Sequence, residues 1–592
     1  MGRLKKKRNK KIKSSQKTKS FDSLLLSTKQ LMILGGLLMI VFIAYMPILQ
    51  GEFINYDDDI YITENPMIVN LNLESFKSLF GNYYKNQYSP VAMLIMALEY
   101  KVFGGSVGAL KFVSIIWHVI GFLLVFQLVR KLFNRFDYAI ITAGLFGVQT
   151  LHVESVAWLT ASMKIGSFAV FSLVSLLLYV RYLEKKSKVL FISSLVFFLL
   201  ACFSKEQAIT LTGIILSIDY LKNRSLLSQE VILEKIPFAV ISLIFVLVTL
   251  GITPEMQNES MVGYFSALER LLFICHSIVL YFLKIIFPFN LSTFYTYPIK
   301  SEIPSIYYLS PFIVSGLIYG MYYSFKKGNR LIVFGLLFFF INISLNFASQ
   351  LMAVRDTMIA DRYMYLPSIG IFMIFAHFIL NQIKQKPKLK TAVWGCLLIY
   401  GVLITCLTYQ RCSVWNDSIS VFTDAIEKGV QDKNKINPFM ALAYNNRGVG
   451  YKRKNKFDEA MTDYDKAIQS NKEYEDAYLN RGNLYFIQGQ HDKALIDLNE
   501  AIDLDPEYAK AFNSRGSVYA TQGRLEASLI EFNEAIRLDP AYKDAYKNRG
   551  FAYFNLKNYQ QALTDLNKFL SYEPNHTNVN NVKQAIIKEL NK

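Results

Sequence analysis

The feature that most constrains this chain is a series of uncharged apolar segments between residues 31 and 410. The longest reach the roughly 20 residues that a helix needs to cross a hydrocarbon layer of ~30 Å. With 52% hydrophobic and only 19% charged residues, the 592-residue chain is neither a cytosolic enzyme nor a disordered protein. The segments are Leu31 to Leu49, Phe112 to Val129, Tyr138 to Val153, Ile165 to Val180, Val189 to Ser204, Gln207 to Ile218, Ile236 to Pro254, Ser305 to Phe325, Leu331 to Val354, Tyr363 to Ile383 and Thr391 to Gln410.

Positive charge predicts how these segments are oriented. Ten Lys and Arg residues lie within the first 19 positions, where there is no acidic residue. We interpret residues 1–29 as a basic cytoplasmic arm that touches anionic lipid, in preference to a nucleic-acid-binding tail. The loops after the second, fourth and sixth segments are also basic, as the positive-inside rule predicts for cytoplasmic loops.

A twelfth apolar stretch, Leu271 to Phe289, is interrupted by His276 and Lys284. The basic clusters at 326–330 and 384–390 can both be cytoplasmic only if this stretch does not cross the membrane. We therefore predict about eleven spans, an interfacial or re-entrant helix at Leu271 to Phe289, and a C-terminal region outside the cytoplasm. If the stretch does cross, the C-terminal region lies inside.

The C-terminal third repeats itself every 34 residues. An Arg-Gly pair recurs at 447, 481, 515 and 549, and Tyr, Ala and Pro positions recur in phase with it. This period and pattern resemble the tetratricopeptide repeat, a helix-turn-helix unit that stacks into a superhelix. The fold class is all-α: a polytopic helical membrane bundle followed by an α-solenoid. The predicted division is a basic arm (1–29), a membrane domain (30–410) with an external loop (50–109), a connecting helix (411–440), four repeats (441–576) and a capping helix (577–592).

Polar residues on the predicted concave face of the repeats are candidates for binding an extended peptide. The same Asn and Arg ladders could instead satisfy helix ends and neighbouring repeats. The candidates are Asn445, Arg447, Asn480, Arg481, Asn513, Arg515, Asn548 and Arg549.

The first external loop carries the acidic run Asp57-Asp58-Asp59 just beyond the first span. Adjacent carboxylates repel one another, which raises the pKa of at least one and makes a proton acceptor available near neutral pH. The alternative is a solvated acidic turn or a cation site.

Other polar clusters fall on the same predicted side. Lys205 and Glu206 lie between two short apolar runs, where ionisable residues are costly and often functional; the alternative is an ion pair that holds a tight hairpin. Asp361 and Arg362 likewise are either functional residues of the pocket or an internal ion pair. His152, near Glu154, could be a core histidine. No cluster has the ligand spacing of a metal site.

These motifs together resemble the transmembrane and tetratricopeptide repeat-containing O-mannosyltransferases and their bacterial relatives, which have the C-type glycosyltransferase fold. The residues that carry the resemblance are FINYDDD (53–59) with Asn65, HVESVAW (152–158), SKEQAITL (204–211), ADRYMYLPSIG (360–370) and Trp415 before the repeats. The acidic run of three residues leaves the register of the usual pair open.

The resemblance implies inverting transfer of a sugar, such as mannose, from a polyprenyl-phosphate carrier to a protein Ser or Thr hydroxyl on the non-cytoplasmic face. We expect Asp57 to be the base, with Asp58 supporting or replacing it, and Lys205 and Arg362 to bind the donor phosphate. His152, Glu154, Glu206 and Asp361 are further pocket candidates.

The expected partners are the polyprenyl-phosphate sugar, an acceptor polypeptide held by the repeats, and membrane lipid, with no nucleic acid, no metal and no cofactor. Richness in Lys, Ile and Asn indicates a bacterial inner membrane with periplasmic repeats. A non-catalytic scaffold that binds envelope proteins through the repeats is the alternative function.

Overall fold

The computed structural model describes residues 26–85, 87–252, 264–352, 357–429 and 440–591. Most of the predicted basic arm, up to residue 25, lies outside these ranges.

The first part of the chain is a bundle of apolar helices. Each of the eleven predicted segments, and the stretch Leu271 to Phe289, overlaps a different long helix, and some also include a short helical turn. Helices form here because every backbone polar group must be satisfied within the segment when water is excluded. The long helices are Thr28–Tyr45, Val107–Phe133, Phe136–Gly147, Leu159–Lys185, Lys188–Ser204, Leu211–Leu221, Gln229–Ile252, Ala267–Ile286, Ile306–Lys326, Arg330–Leu351, Ser368–Gln385 and Lys390–Val414.

Six of the described helices are long and apolar enough to cross a membrane, and a seventh span is possible if Phe136–Gly147 and the bent helix after it act together. The predicted number of eleven is thus not confirmed and stays a prediction. Helix Ala267–Ile286 is amphipathic, with Phe273 and Tyr281 buried and Leu271 exposed. It is not among the described helices that are long and apolar enough to cross a membrane, and its predicted interfacial or re-entrant position stays a prediction.

Contacts join the basic loops at one end of the bundle, opposite the acidic loop. Three polar contacts tie four of the inter-helix turns together there, so the clusters separated in sequence share one face. They are Lys131 Nζ to Glu184 Oε2 (2.7 Å), Lys222 Nζ to the Leu132 carbonyl (2.8 Å) and an Arg330 guanidinium nitrogen to the Tyr220 carbonyl (2.6 Å).

The predicted external loop, 50–109, is itself folded. It packs a small separate core around Ile62, Ile68, Leu79 and Met93. Its helices are a π-helical turn at Asp59–Thr63 and α-helices at Pro66–Val69, Leu73–Gly81 and Pro90–Phe103. The loop is therefore a folded cap that packs against the bundle.

Short elements complete the membrane domain. Two strands, Tyr295–Thr296 and Thr357–Ile359, pair antiparallel and are an addition to the all-α prediction. The remaining turns are the 3₁₀ helices Met46–Gln50, Thr150–His152, Glu206–Thr210, Lys300–Glu302, Asp361–Met364 and Pro387–Leu389, and the α-helix Val153–Ala157.

The connection to the repeats differs from the predicted single helix at 411–440, of which residues 430–439 lie outside the described ranges. The last long helix continues to Val414, and a separate helix, Ser418–Gly429, follows after buried Trp415.

Four helix pairs and a final helix form the repeat array. Small residues let the helices of a pair approach closely: a side chain at Gly448 would come within 2.7 Å of the Tyr464 ring, and one at Gly516 would meet Phe532 at the same distance. The pairs are Ala441–Arg453 with Phe457–Ser470, Glu475–Ile487 with His491–Leu504, Ala509–Thr521 with Leu525–Leu538, and Lys543–Asn555 with Tyr559–Tyr572, capped by Thr577–Leu590.

Candidate functional site

A cavity of about 450 Å³ lies where the acidic loop meets the bundle. This is within the range of small-molecule sites. One part of its wall is apolar, with Ile165, Ile209 and Phe245, and another part is strongly polar. The polar and aromatic lining includes Tyr56, Asp57, Gln87, Trp158, Thr160, Lys164, Lys205, Glu206, Arg362 and Tyr363.

Asp57 is the member of the acidic run that faces the cavity. Its side chain is partly buried, and it accepts no hydrogen bond from any described residue. Burial raises the pKa of this carboxyl to about 6, although the positive charges of Lys164 and Arg362 oppose the rise. Asp57 is therefore a carboxylate that can take up a proton near neutral pH.

Asp58 is fully buried behind the cavity and does not line it. One carboxylate oxygen accepts from the Ile54 backbone N–H (3.0 Å), and the other accepts from the N–H (2.9 Å) and hydroxyl (2.7 Å) of Thr160. Asp58 thus fixes the acidic loop to the start of helix Leu159–Lys185. Burial raises its pKa, and these hydrogen bonds oppose the rise. The geometry favours Asp57 over Asp58 as the base.

Asp59 points in a third direction, toward the repeats, where its carboxylate lies 3.0 Å from an Arg453 guanidinium nitrogen. The sequence left open which of the three aspartates form the functional pair. In the structure the three carboxylates have different surroundings: Asp57 faces the cavity, Asp58 bonds to the bundle and Asp59 pairs with the repeat array. The solvated acidic turn does not describe this run, because Asp58 is inaccessible to solvent.

Arg362 is held at the cavity by Glu154. The backbone N–H of Arg362 donates to one Glu154 oxygen (2.8 Å), and its guanidinium pairs with the other. The guanidinium also lies 5.3 Å from the Trp158 ring centroid, and its pKa stays above the ordinary value: burial lowers it, but Glu154 more than compensates. The alternative partner, Asp361, accepts instead from the Tyr295 hydroxyl (2.8 Å).

Asp361 and Glu154 lie behind the cavity wall and do not line it. Burial raises the pKa of Asp361 to about 7, and Lys284 opposes the rise. The prediction that Glu154 lines the pocket is therefore wrong. Glu154 instead holds Arg362, which does line it.

Lys205 and Glu206 both line the cavity. Lys205 ends helix Lys188–Ser204 in an extended conformation. Its Nζ lies 4.0 Å from Glu206 Oε1, the outer limit of an ion pair. The predicted alternative, an ion pair between Lys205 and Glu206, is present at this long distance, and both residues line the cavity as well.

Lys164 is a cavity residue to which the sequence assigned no role. Its ammonium hydrogen-bonds to Gln87 Oε1 and lies 3.7 Å from the Tyr61 ring centroid, a cation–π contact. The available signal was a lysine near the start of a long apolar helix, where an ionisable residue is a functional candidate.

His152 is in the core and not in the cavity, which corrects the prediction that it lines the pocket. One ring nitrogen lies 2.9 Å from the Phe146 carbonyl and the other 3.1 Å from the Ser368 hydroxyl. The ring is fully buried beside Tyr365, so it is the satisfied core histidine of the alternative interpretation.

The candidate arginines of the repeats are engaged within the array. Each arginine lies on the first helix of its repeat and pairs with a carboxylate 16 residues later, on the second helix. Arg447, Arg481 and Arg549 each donate two hydrogen bonds to one aspartate. The pairs are Arg447–Asp463, Arg481–Asp497, Arg515–Glu531 and Arg549–Asp565. These contacts favour the structural alternative for the arginines, and peptide binding by them stays a prediction.

The candidate asparagines link successive repeats. Asn480 donates to Asn445 (3.0 Å), and Asn548 donates to Asn513 (2.9 Å). These asparagines therefore have partners in a neighbouring repeat, and peptide binding by them stays a prediction.

The first repeat is docked against the acidic loop. The Asn55 amide donates to the Asn446 carbonyl (2.8 Å), and the Asn55 N–H donates to the Ser418 hydroxyl (3.0 Å). Leu442, near the start of the first repeat, lines the cavity itself. The array therefore begins at the cavity.

Among the described residues, no group of three or more His, Cys, Asp or Glu side chains is placed to hold a metal ion. The fold and cavity define a polytopic helical membrane protein with a pocket lined by several charged residues and a docked tetratricopeptide repeat array.

Comparison with known proteins agrees with this class. Residues 87–252 match the family described as dolichyl-phosphate-mannose-protein mannosyltransferase, and residues 448–486, 482–523, 516–557 and 543–576 match tetratricopeptide repeat families. A protein O-mannosyl-transferase of Caenorhabditis elegans is 26% identical over 409 residues, which is 65% of this chain and 56% of the relative. The resemblance inferred from the motifs is thereby confirmed, and the chain spans little more than half of that relative.

Two solved tetratricopeptide repeat proteins are similar to part of this chain. The first repeat domain of Spaghetti (RPAP3), solved with an HSP90 peptide, is 30% identical and covers 19% of this chain and 91% of its own, at a TM-score of 0.19. A repeat protein of Thermus thermophilus is 17% identical and covers 31% and 94%, at a TM-score of 0.25. At such TM-scores neither match bears on function.

Proposed function

We propose that the protein is an inverting membrane glycosyltransferase that moves a sugar, mannose first among candidates, from a polyprenyl-phosphate carrier to a protein Ser or Thr hydroxyl. The observation that supports this most is the placement of Asp57 in one cavity with Lys164, Lys205 and Arg362. One carboxylate and several cations are the groups that this reaction needs.

In the proposed mechanism, Asp57 accepts the proton of the acceptor hydroxyl as its oxygen forms a bond to the sugar C1. The C1–oxygen bond to phosphate breaks on the opposite face, which inverts the configuration. The leaving polyprenyl phosphate keeps the electron pair and goes from one negative charge to two. Lys205 and Arg362 stabilise this developing charge, and Lys164 adds a third cation.

The apolar wall suits the first isoprene units of the carrier. Ile165, Ile209 and Phe245 line that wall and come from three elements of the bundle. Burial of such a surface favours a lipid-linked donor over a water-soluble nucleotide sugar.

The direct test is a transfer assay on the purified full chain in nanodiscs with a panel of polyprenyl-phosphate sugars. Asp57→Asn should abolish most transfer. Asp59→Asn is the matched control, because it removes the same charge two residues away outside the cavity, and it should retain most of the activity. Transfer from none of the donors, with envelope proteins still captured by the array, would support the scaffold instead.

The repeats are proposed to hold the acceptor polypeptide next to the cavity, which raises its local concentration. Because the first repeat also contacts the acidic loop, a truncation should keep it and end at Asn471. This variant should lose transfer to protein acceptors much more than to short Ser/Thr peptides. An equal loss for both would contradict the role.

We further propose that transfer needs no divalent metal, because the lysine and arginine side chains can neutralise the phosphate. Activity should survive EDTA. Loss on EDTA treatment with recovery on adding a divalent ion would overturn this.

A further inference from the structure

A second, apolar groove of about 360 Å³ lies at the opposite end of the bundle. It separates helix Ser368–Gln385 from helix Lys390–Val414, which are joined by the turn Pro387–Leu389. Phe375 and Ile379 form one wall, and Leu389, Cys396 and Tyr400 form part of the other. Polar groups contribute almost nothing to its lining, so the groove suits hydrocarbon.

The length of the groove corresponds to one leaflet of a bilayer. Tyr400 follows Leu389 by eleven residues, or roughly 16 Å of helix at 1.5 Å per residue. The hydrocarbon layer is ~30 Å thick, so one leaflet is roughly 15 Å. At the end of the groove farthest from the turn Pro387–Leu389, the Tyr400 hydroxyl donates to the Ile286 carbonyl (2.8 Å).

Four lysines surround the end of the groove that lies at the turn Pro387–Leu389. Lys384 is in the last turn of the first helix, Lys386 and Lys388 flank Pro387, and Lys390 begins the second helix. All four are exposed, and within the described ranges none is ion-paired with a carboxylate. The nearby cluster at Lys326, Lys327 and Arg330 differs, because its members lie over Tyr322, Tyr323 and Tyr220.

We propose that this lysine-flanked groove binds an anionic glycerophospholipid, with one acyl chain between the two helices and its phosphate among the lysines. Positive charge at headgroup level beside an acyl-length groove selects net negative lipid over zwitterionic lipid. The groove is a site separate from the cavity: Ser368, at the cavity end of its helix, is 17 residues from Gln385, roughly 26 Å along the axis.

Native mass spectrometry of the full chain tests the proposal, with phosphatidylglycerol and phosphatidylethanolamine of identical acyl chains as probes. Wild type should retain phosphatidylglycerol preferentially. The fourfold variant Lys384→Gln, Lys386→Gln, Lys388→Gln and Lys390→Gln should weaken that binding at least tenfold and leave phosphatidylethanolamine unchanged. The matched control, Lys326→Gln with Lys327→Gln and Arg330→Gln, should stay within about twofold of wild type.

A second variant tests the groove rather than the charge. Cys396→Phe places a ring in the groove and should lower retention of phosphatidylglycerol with all four lysines intact. Equal retention of the two lipids by wild type, an equal loss in the control cluster, or no effect of Cys396→Phe would each overturn the proposal. Displacement of phosphatidylglycerol by equimolar polyprenyl phosphate would also overturn it, by making the groove a donor site.

Discussion

Asp57→Asn is expected to make the protein slower and more stable at the same time. Burial moves the pKa of this carboxyl from its ordinary 3.8 to about 6, which corresponds to about 3 kcal/mol between its two protonation states. Because the folded pKa is the higher one, the contribution to stability is fully present below pH ~4 and is lost as the pH rises through about 6. At neutral pH the buried charge therefore destabilises the fold by up to about 3 kcal/mol, and a neutral amide removes this cost.

The same substitution removes the proposed general base, which lowers the rate roughly 10²- to 10⁴-fold. Initial rates between pH 5 and 8 should rise through about pH 6 in wild type and then level off, because the ionised form is the active one. Thermal unfolding in detergent should give a higher midpoint for Asp57→Asn than for wild type at pH 7.5, with the difference shrinking at pH 4.5.

Asp58→Ala is the contrasting variant. It leaves the Ile54 and Thr160 N–H groups without their acceptor, at about 1–3 kcal/mol each, partly offset by removal of a buried charge. It should lower the unfolding midpoint. A wild-type rate for Asp57→Asn, a flat pH profile, or a variant less stable than wild type at pH 7.5 would refute the reasoning.

Glu154→Gln removes the partner of Arg362, so it should lower both the unfolding midpoint and transfer; a variant with wild-type values in both assays would show that the pair is dispensable. Lys205→Gln should reduce kcat for lipid-linked donors by at least tenfold, because it removes a cation that lines the cavity; an unchanged kcat would exclude it from phosphate stabilisation. Arg481→Gln breaks a bidentate contact with Asp497 and should lower array stability by roughly 1–3 kcal/mol, measured by urea unfolding followed by circular dichroism, while transfer to short peptides persists.

Much of the architecture follows from local sequence. The apolar segments predict the bundle helices because a helix in hydrocarbon is determined by composition and length alone. The 34-residue period predicts all four repeats because each unit packs against its neighbour with the same residues. The presence of a site near Asp57, Lys205 and Arg362 also follows from the sequence, since charged residues beside apolar segments are costly to retain.

The direction of each side chain depended on the tertiary structure. The three adjacent aspartates are chemically alike in the sequence. In the structure Asp58 accepts a hydrogen bond from Thr160 and Asp59 pairs with Arg453, whereas Asp57 faces the cavity. Glu154 comes from more than 200 positions away to hold Arg362, which the nearby Asp361 does not do.

The sequence by itself thus determined which segments are helical, where the repeats begin and which charged residues are too costly to be incidental. Only the tertiary structure decided which carboxylate is accessible, that Lys164 joins the cavity and His152 does not, and that the repeat arginines are engaged. The reason is physical: helix formation depends on neighbours within a few residues, whereas burial and ion pairing depend on partners that folding brings together from distant parts of the chain.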